Sequence, residues 1–162
     1  MNATKLPLKT KQKTKVLKVT GLAKGDSVAA WKSSNTKVAK VSGSANGTCT
    51  ITAGKKTGKA TVTVTLKSGL KKKITVTVQK KAVKTTKITG VAKKTRLKKG
   101  KTLTLKPAVT PLTSLQKVTY KSSNKKVATV TSKGVIRARK KGTTVITVKS
   151  GSKTVKCRIT VK

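Results

Sequence analysis

Two stretches decide the fold: Trp31-Lys32-Ser33-Ser34-Asn35-Thr36-Lys37-Val38-Ala39-Lys40-Val41 and Tyr120-Lys121-Ser122-Ser123-Asn124-Lys125-Lys126-Val127-Ala128-Thr129-Val130. Each has the same Ser-Ser-Asn turn signal, followed by Val-Ala and a further apolar residue in alternation, which is typical of short strands joined by a turn. A segment that recurs at this separation indicates a duplicated unit of about 80 residues, the size of a small β-sandwich.

The duplication continues beyond these stretches. Residues 56–64, Lys-Thr-Gly-Lys-Ala-Thr-Val-Thr-Val, match residues 140–148, Lys-Lys-Gly-Thr-Thr-Val-Ile-Thr-Val, and each copy ends in Ile-Thr-Val at 74–76 and 159–161. We therefore predict one domain at 1–80, a second at 86–162 and a short linker at 81–85, which lacks the Gly and Ser of a flexible tether. Little chain precedes Leu8, so we expect the first strand of the first copy to be short or missing.

The strand pattern predicts the fold class. Residues 60–66 alternate almost perfectly between apolar residues and Thr, and Ser68-Gly69 and Ser150-Gly151 are hairpin turn signals. Short, evenly spaced strands with regular turns favour a sandwich over a fold of alternating strands and helices. We predict an all-β protein of two tandem Ig-like antiparallel β-sandwiches, each with about seven short strands.

The repeated residues carry a family resemblance. Ser-Ser-Asn-x-x-Val-Ala-x-Val, then Gly134, then Lys-Lys-Gly-Thr-x-x-Ile-Thr-Val, resembles the bacterial immunoglobulin-like domain, group 2, and most specifically in the second copy. In the first copy, residues 42–46 and 54–58 are longer than this pattern. Such domains are strung along bacterial surface proteins, including invasin- and intimin-like adhesins. The resemblance implies an extracellular β-sandwich without catalysis. It transfers no binding residues, because members share a fold and not a site.

The charge is the main indication of function. The chain has 42 Lys plus Arg against a single acid, Asp26, and a formal net charge of +41. Such an excess opposes compaction by self-repulsion, and solubility does not require a surface almost free of acids. We expect that the charge serves the function and that the partner is a polyanion.

The same inventory excludes most catalysis. General acid–base chemistry needs a titratable group near the working pH, but the chain has no His and no Glu. Metal sites need clusters of Cys, His, Asp or Glu, and the sequence has none. We predict no enzyme activity, no catalytic residue, no metal site and no cofactor.

Lysine dominates the positive charge, since Arg96, Arg137, Arg139 and Arg158 are the only arginines. Lysine acts as a hydrated point charge, so it gives affinity by counterion release with little selectivity between anions. We predict a stripe of alternate strand positions facing one way: Lys9, Lys11, Lys13 and Lys15. The other predicted polyanion-binding residues are clusters: Lys55, Lys56, Lys71, Lys72, Lys73, Lys80, Lys81, Lys93, Lys94, Arg96, Lys98, Lys99, Lys101, Lys125, Lys126, Arg137, Arg139, Lys140 and Lys141.

Three partners agree with this charge. We expect first an anionic polysaccharide, either a glycosaminoglycan of the heparan sulfate type or a polymer of a bacterial wall. An anionic membrane surface is an alternative, on which the protein would be membrane-active or cell-penetrating. The third is nonspecific binding of nucleic acid. We expect a monomer that is secreted or displayed on a bacterial surface, and no apolar signal-peptide stretch follows Met1.

Four residues have structural interpretations. Cys49 and Cys157 lie in alternating segments and are predicted to be small core residues. Trp31 and Tyr120 occupy equivalent repeat positions, which indicates a core-edge aromatic in each sandwich. The chain has no Phe, so an aromatic face for stacking bases is not expected.

Overall fold

The structure is a computed structural model that describes every residue, Met1–Lys162. It has no helix, which confirms the all-β prediction. The strands are β1 (Lys5–Lys9), β2 (Lys13–Lys18), β3 (Val28–Ser33), β4 (Ala39–Gly43), β5 (Thr48–Ala53), β6 (Gly58–Leu66), β7 (Lys71–Gln79), β8 (Lys87–Thr89), β9 (Lys94–Leu97), β10 (Thr102–Thr104), β11 (Ala108–Thr110), β12 (Val118–Ser122), β13 (Ala128–Val130), β14 (Val135–Ala138), β15 (Gly142–Ser150) and β16 (Lys153–Val161).

The chain forms two units. Unit 1 comprises Met1–Val83 with Pro111–Thr113, and unit 2 comprises Lys84–Thr110 with Ser114–Lys162. Unit 1 contains one sheet in the order β1-β7-β6-β3 and a second in the order β2-β5-β4. All of its strand pairs are antiparallel except β1 with β7, which run parallel.

Unit 2 repeats this arrangement with one addition. Its sheets have the orders β12-β15-β16-β9 and β10-β14-β13, and β9 pairs with β16 in parallel as β1 does with β7. A further two-stranded sheet pairs β8 with β11. Unit 1 has seven strands and no counterpart of the β8–β11 pair, so unit 2 has two strands more than expected.

Period-two alternation builds each core. In β6, Ala60, Val62 and Val64 are buried, while the threonines between them face outward and stay partly exposed. The cores contain aliphatic residues from both sheets, among them Leu17, Ile51 and Ile74 in unit 1 and Ile136, Ile146 and Ile159 in unit 2. Because side chains alternate across a strand, each sheet has one apolar face and one polar outer face.

The predicted lysine stripe is wrong. Lys9 ends β1 in the four-stranded sheet, whereas Lys13 and Lys15 lie on β2 in the three-stranded sheet. The chain crosses between the sheets at residues 10–12, where Gln12 N donates to Lys9 O at 3.0 Å. A sheet change between Lys9 and Lys13 prevents one strand from holding all four side chains on one face.

The crossing bends the backbone at Lys11. Lys11 has φ 63°, and it is the only residue other than glycine with a positive φ. Its counterpart in unit 2 is Gly100, φ 81°, at the same place in the equivalent crossing, where Lys101 N donates to Lys98 O at 3.1 Å. The left-handed conformation costs an L-residue about 1–2 kcal/mol, which glycine avoids.

Lys11→Gly is expected to raise the free energy of unfolding by about 0.5–1 kcal/mol, because relief of backbone strain exceeds the extra entropy that glycine loses on folding. Urea denaturation measures the change. Lys13→Gly is the matched control: it removes the same charge from a regular strand position and is expected to destabilise the protein. A loss of stability in Lys11→Gly would contradict the strain argument.

Both cysteines are buried, as the alternation predicted, and both are free. Cys49 is 1% exposed and Cys157 is fully buried, each in the core of its own unit. Burial raises the pKa of the Cys49 thiol to about 11, and burial also raises the pKa of Cys157. Since the thiolate is the reactive form, both residues are inert packing groups in the folded protein.

We expect neither thiol to react with Ellman's reagent in the folded protein at pH 8, and both to react in guanidinium chloride. A Ser152→Cys variant, which places a thiol in an exposed hairpin turn, serves as the positive control. Native-state reaction of Cys49 or Cys157 at the rate of this control would show that the cores open far more readily than their burial implies.

Candidate polyanion-binding surface

Every Lys and Arg side chain is exposed, so no positive charge is buried in either unit. The single acid, Asp26, is bonded to hydroxyl and backbone donors: its oxygens accept from Ser68 Oγ at 2.8 Å and from Ser27 N at 2.8 Å. The Ser68 hydroxyl bond is the largest influence that holds the Asp26 pKa below its ordinary value. With one negative charge against 42 basic side chains, Asp26 neutralises almost none of the positive charge on the surface.

Rows of alternating Lys and Thr cross the outer face of each four-stranded sheet. In unit 1, Lys32 on β3 pairs with Thr63 on β6, which pairs with Lys73 on β7. In unit 2, the row is Lys121, Thr147 and Lys156 on β12, β15 and β16. With strands about 4.8 Å apart, the backbones of the two lysines lie about 9–10 Å apart.

Threonine is the spacer in these rows for a physical reason. Like charges directly opposite each other on neighbouring strands destabilise a sheet. An uncharged Thr on the central strand avoids this repulsion, and Thr also favours the strand conformation. Both units therefore hold lysines as next-nearest neighbours on one rigid face. The arrangement presents positive charge at a fixed interval without placing two ammonium groups side by side.

Each three-stranded sheet also carries a row of basic residues and Thr, but the positions of the two residue types in unit 2 are the reverse of those in unit 1. In unit 1 the row reads Lys13, Thr52 and Lys40 across β2, β5 and β4. In unit 2 it reads Thr102, Arg137 and Thr129 across β10, β14 and β13. A basic side chain thus sits beside threonine in both units, although different strands supply it.

A basic notch lies beside each of these rows. The unit 1 notch is a hollow of about 380 Å³ whose basic lining residues are Lys11, Lys37, Lys40 and Lys55. The unit 2 notch, about 650 Å³, is lined by Lys125, Lys126, Thr129, Arg139 and Lys140. Arg139 Nε donates to Thr129 Oγ1 at 3.3 Å, which holds this guanidinium over the sheet face.

The Ser-Ser-Asn motif shapes the turn that leads into each notch. Asn35 Oδ1 accepts from Lys37 N at 3.1 Å, and Asn124 Oδ1 accepts from Lys126 N at 3.0 Å. The preceding serines tie the turn to the next sheet strand: Ser34 Oγ accepts from Thr61 N and Ser123 Oγ from Val145 N, both at 2.9 Å. Asn side chains that bond the backbone two residues on stabilise such turns, so the motif fixes where the notch lysines project.

The structure brings together only part of the predicted set. Lys11 and Lys55 meet in the unit 1 notch, and Lys125, Lys126, Arg139 and Lys140 meet in the unit 2 notch. On β7, Lys73 joins a row and Lys71 faces the same way, whereas Lys72 pairs with buried Val64 and lines a cavity at the end of unit 1.

The remaining predicted residues lie apart from the notches. Lys94 and Arg96 lie on β9, with Lys94 directly opposite Arg158 of β16. The others are exposed residues of connections between strands: Lys56, Lys80, Lys81, Lys93, Lys98, Lys99, Lys101 and Lys141.

Sequence reasoning missed several members of the rows and notches. They are isolated lysines that adjoin no other basic residue in sequence: Lys32, Lys37, Lys40, Lys121 and Lys156. Three of them, Lys32, Lys37 and Lys121, lie within the repeated motif and match Lys in the other copy, which was an available signal. A search for clusters of basic residues in the sequence does not find these lysines, because they become neighbours only when the strands pair.

The aromatic side chains belong to the cores, as predicted. Trp31 packs against the unit 1 cluster and Tyr120 against the unit 2 cluster, and both are half-buried. A Cβ at Gly43 would fall on the Trp31 indole ring, so the strand beside Trp31 requires glycine for this packing.

No helix in the structure is long and apolar enough to span a membrane.

Two tandem Ig-like β-sandwiches are the class that this architecture defines. The chain belongs to the bacterial Ig-like domain (group 2) family, whose pattern matches residues 5–78 and 82–161. Domains of this family are typical of extracellular or cell-surface proteins and are typically non-enzymatic. No curated protein matches the chain.

Several solved structures are similar to the chain. Domains 4 and 5 of the S-layer protein SbsC are 25% identical with a TM-score of 0.46, covering 81% of this chain and 74% of that one. SbsC domains 4–9 are 24% identical with a TM-score of 0.46, and the match covers 89% of this chain but 23% of that one. Drosophila N-cadherin EC1–3 is 9% identical with a TM-score of 0.47, covering 100% of this chain and 65% of that one.

Asn124→Ala is expected to lower the free energy of unfolding by about 1 kcal/mol, because Lys126 N loses its acceptor in the notch turn. Chemical denaturation followed by circular dichroism measures the loss. Ser132→Ala, at an exposed turn position, is the control and is expected to change stability by less than about 0.5 kcal/mol. Equal effects of the two substitutions would contradict a structural role for the Asn124 side chain.

Proposed function

We propose that this protein is a non-enzymatic polycation that is secreted or displayed on a cell surface and attaches electrostatically to anionic glycans. The carrying observation is that basic rows and notches recur at equivalent positions of both units on an otherwise rigid sandwich. The ligand class is a glycosaminoglycan of the heparan sulfate type or an anionic polymer of a bacterial wall, since both present regularly spaced negative groups along a chain.

The spacing of charge supports a linear polyanion over a small anion. Lys71 and Lys73 are two residues apart on β7, which separates them by about 6.6 Å at a rise of about 3.3 Å per residue. Lys32 lies across the same face, so one polymer segment can meet several ammonium groups without a deep pocket. Two units in one chain add avidity, because binding of the second unit is then intramolecular.

The dominance of lysine sets the character of this binding. Counterion release supplies the affinity, so each neutralised charge adds close to one unit to the salt slope, and contact with 6–10 such charges costs about 10³–10⁵ in affinity between 50 and 200 mM salt. Selectivity between anionic polymers then comes from how well their charge spacing follows the rows and notches, rather than from bidentate hydrogen bonding.

The first test is retention on immobilised heparin across a salt gradient, with dextran sulfate and DNA as competitors. We expect retention at physiological salt and displacement by sulfated polymers at least as readily as by DNA at matched charge.

Dye-filled vesicles of anionic lipid test the alternative of membrane attack, and we expect adsorption without leakage. Tighter binding to DNA, or leakage at the protein concentrations that bind heparin, would overturn the proposal in favour of a nucleic-acid binder or a membrane-active protein.

A charge-matched variant set tests the placement of the site. Lys32→Ser/Lys73→Ser removes a row and Lys37→Ser/Lys40→Ser removes notch lysines, while Lys24→Ser/Lys67→Ser removes two exposed lysines from turns outside both. We expect each of the first two variants to reduce the slope of log K against log salt by about two units, with a smaller change in the control. The same change in all three variants would mean that net charge alone determines binding and that the rows and notches are not the site.

A further inference from the structure

A second hollow lies next to the basic notch of each unit. In unit 1 it lies between the edge strands β3 and β4 of the two sheets, and its volume is about 530 Å³. Its lining residues are Trp31, Lys32, Ser33, Thr36, Lys40 and Val41. The unit 2 hollow, about 350 Å³, lies between β12 and β13 and is lined by the residues at the same six positions of the repeated motif. We name the two the aromatic hollows.

Both aromatic hollows contain the same residue types: one aromatic residue, two lysines, one Ser, one Thr and one Val. Lys32 has a lysine at the matching position of unit 2, but the second lysine changes place. Unit 1 has Thr36 followed by Lys40, and unit 2 has the reverse order, Lys125 followed by Thr129. A gap that results only from strand packing does not require this exchange, which keeps two ammonium groups in each hollow despite their mutual repulsion.

A glycine fixes the aromatic ring of each hollow. A Cβ at Gly43 would fall on the five-membered ring of Trp31, and a Cβ at Gly134 would crowd the hydroxyl end of Tyr120. The Trp31 Nε1 atom is buried and has no hydrogen-bond partner, so the part of this side chain that faces the hollow consists of apolar carbon. Each hollow therefore combines a fixed apolar wall with two mobile cationic side chains.

The aromatic hollow and the basic notch of each unit form one groove. In unit 1 they share Thr36 and Lys40, and in unit 2 they share Lys125 and Thr129, which are the same two motif positions. The groove runs from an apolar ring at one end to a cluster of basic side chains at the other. Its occupant should therefore be an extended molecule with an apolar surface at one point and negative groups on both sides of it.

We propose that each aromatic hollow binds one acidic sugar unit of a glycan, with the C–H face of the sugar ring against Trp31 or Tyr120 and its sulfate or carboxylate between the two lysines. The next negative group along the chain then reaches the notch. A pocket with an apolar wall and a few placed polar groups is the usual form of a site for a small ligand or a polymer unit. This inference rests on the attachment to anionic glycans proposed above, and it names the place where the sugar ring itself is recognised.

The same observations favour a sugar over a nucleic-acid base. Proteins that bind single strands stack successive bases on several aromatic faces along a groove. Here each unit offers one half-buried ring, held against a glycine in the wall of a hollow. One acidic sugar needs only one such apolar contact, and its neighbours along the glycan bring further negative groups to the lysines.

The first test uses the emission of Trp31, which reports on the unit 1 hollow because it is the only tryptophan. A heparin-derived tetrasaccharide is expected to change this emission saturably. Inorganic tripolyphosphate, which carries charge without a sugar ring, is expected to leave it unchanged at concentrations that displace the protein from heparin. No change with the tetrasaccharide, or equal changes with both anions, would overturn the inference. A larger change with an oligothymidylate of matched charge would overturn it in favour of a site for a base.

A pair of lysine variants tests whether the hollow or the net charge matters. Lys32→Ser removes a lysine of the unit 1 hollow and is expected to weaken the tetrasaccharide affinity measured by Trp31 emission about fivefold. Lys24→Ser removes the same charge from an exposed turn outside the hollow and is expected to change the affinity by less than about twofold. Equal losses in the two variants would contradict a site in the hollow.

Saturation-transfer NMR tests the ring contact in both units. The chain has no Phe and no His, so irradiation of aromatic ring protons in D₂O saturates only Trp31 and Tyr120. We expect transfer to the ring protons of the tetrasaccharide and a weaker transfer in Tyr120→Leu, which keeps an apolar side chain at the core edge; circular dichroism checks that this variant is folded. Absence of transfer in the parent protein would overturn the inference.

The outcomes separate this inference from the function on which it rests. Retention on heparin without an emission change and without transfer would remove the sugar site and leave electrostatic attachment intact. Loss of retention on heparin at physiological salt would overturn both.

Discussion

Like-charge repulsion is the constraint on which the rest of this structure depends. With 42 basic side chains and one acid, surface ion pairs cannot hold the fold together. Cohesion comes instead from two aliphatic cores and from long antiparallel pairs such as β6–β7 and β15–β16. Every Lys and Arg side chain lies in solvent, where water and salt reduce the repulsion. A β-sandwich suits this demand because period-two alternation separates a largely apolar inner face from a polar outer face.

Threonine resolves the same constraint locally. Strand centres such as Thr63 and Thr147 separate lysines that would otherwise face each other across the sheet. In the three-stranded sheets Thr again lies next to the basic residues, but the positions differ. Unit 1 has lysines on the two outer strands with Thr on the central strand, and unit 2 has Arg137 on the central strand with Thr on both sides. The two units therefore share the lysine spacing of the four-stranded sheets, whereas their three-stranded sheets carry two bases in unit 1 and one in unit 2.

Local signals predicted the fold well and the candidate surface less well. Alternation around Val62 and Val64, and the repeated Ser-Ser-Asn turn, were sufficient for the sandwich and for the burial of both cysteines. The stripe through Lys9 and Lys13 was wrong, because a change of sheet at Lys11 leaves no trace in a period-two pattern. The rows depend on register between strands that are distant in sequence, and register is set by pairing that single-strand patterns do not encode.

The sheet edges give the lysines a second consequence. Edge strands β3 and β4 carry Lys32 and Lys40, and β2 carries Lys13, Lys15 and Lys18. Charged edges are a common protection against strand-to-strand pairing between molecules. A polyanion that neutralises these side chains removes that protection while it concentrates the protein along one polymer. Under the proposed function, the polymer would neutralise the same lysines that oppose edge-to-edge pairing, and a coated surface would favour contacts between neighbouring molecules that the free protein resists.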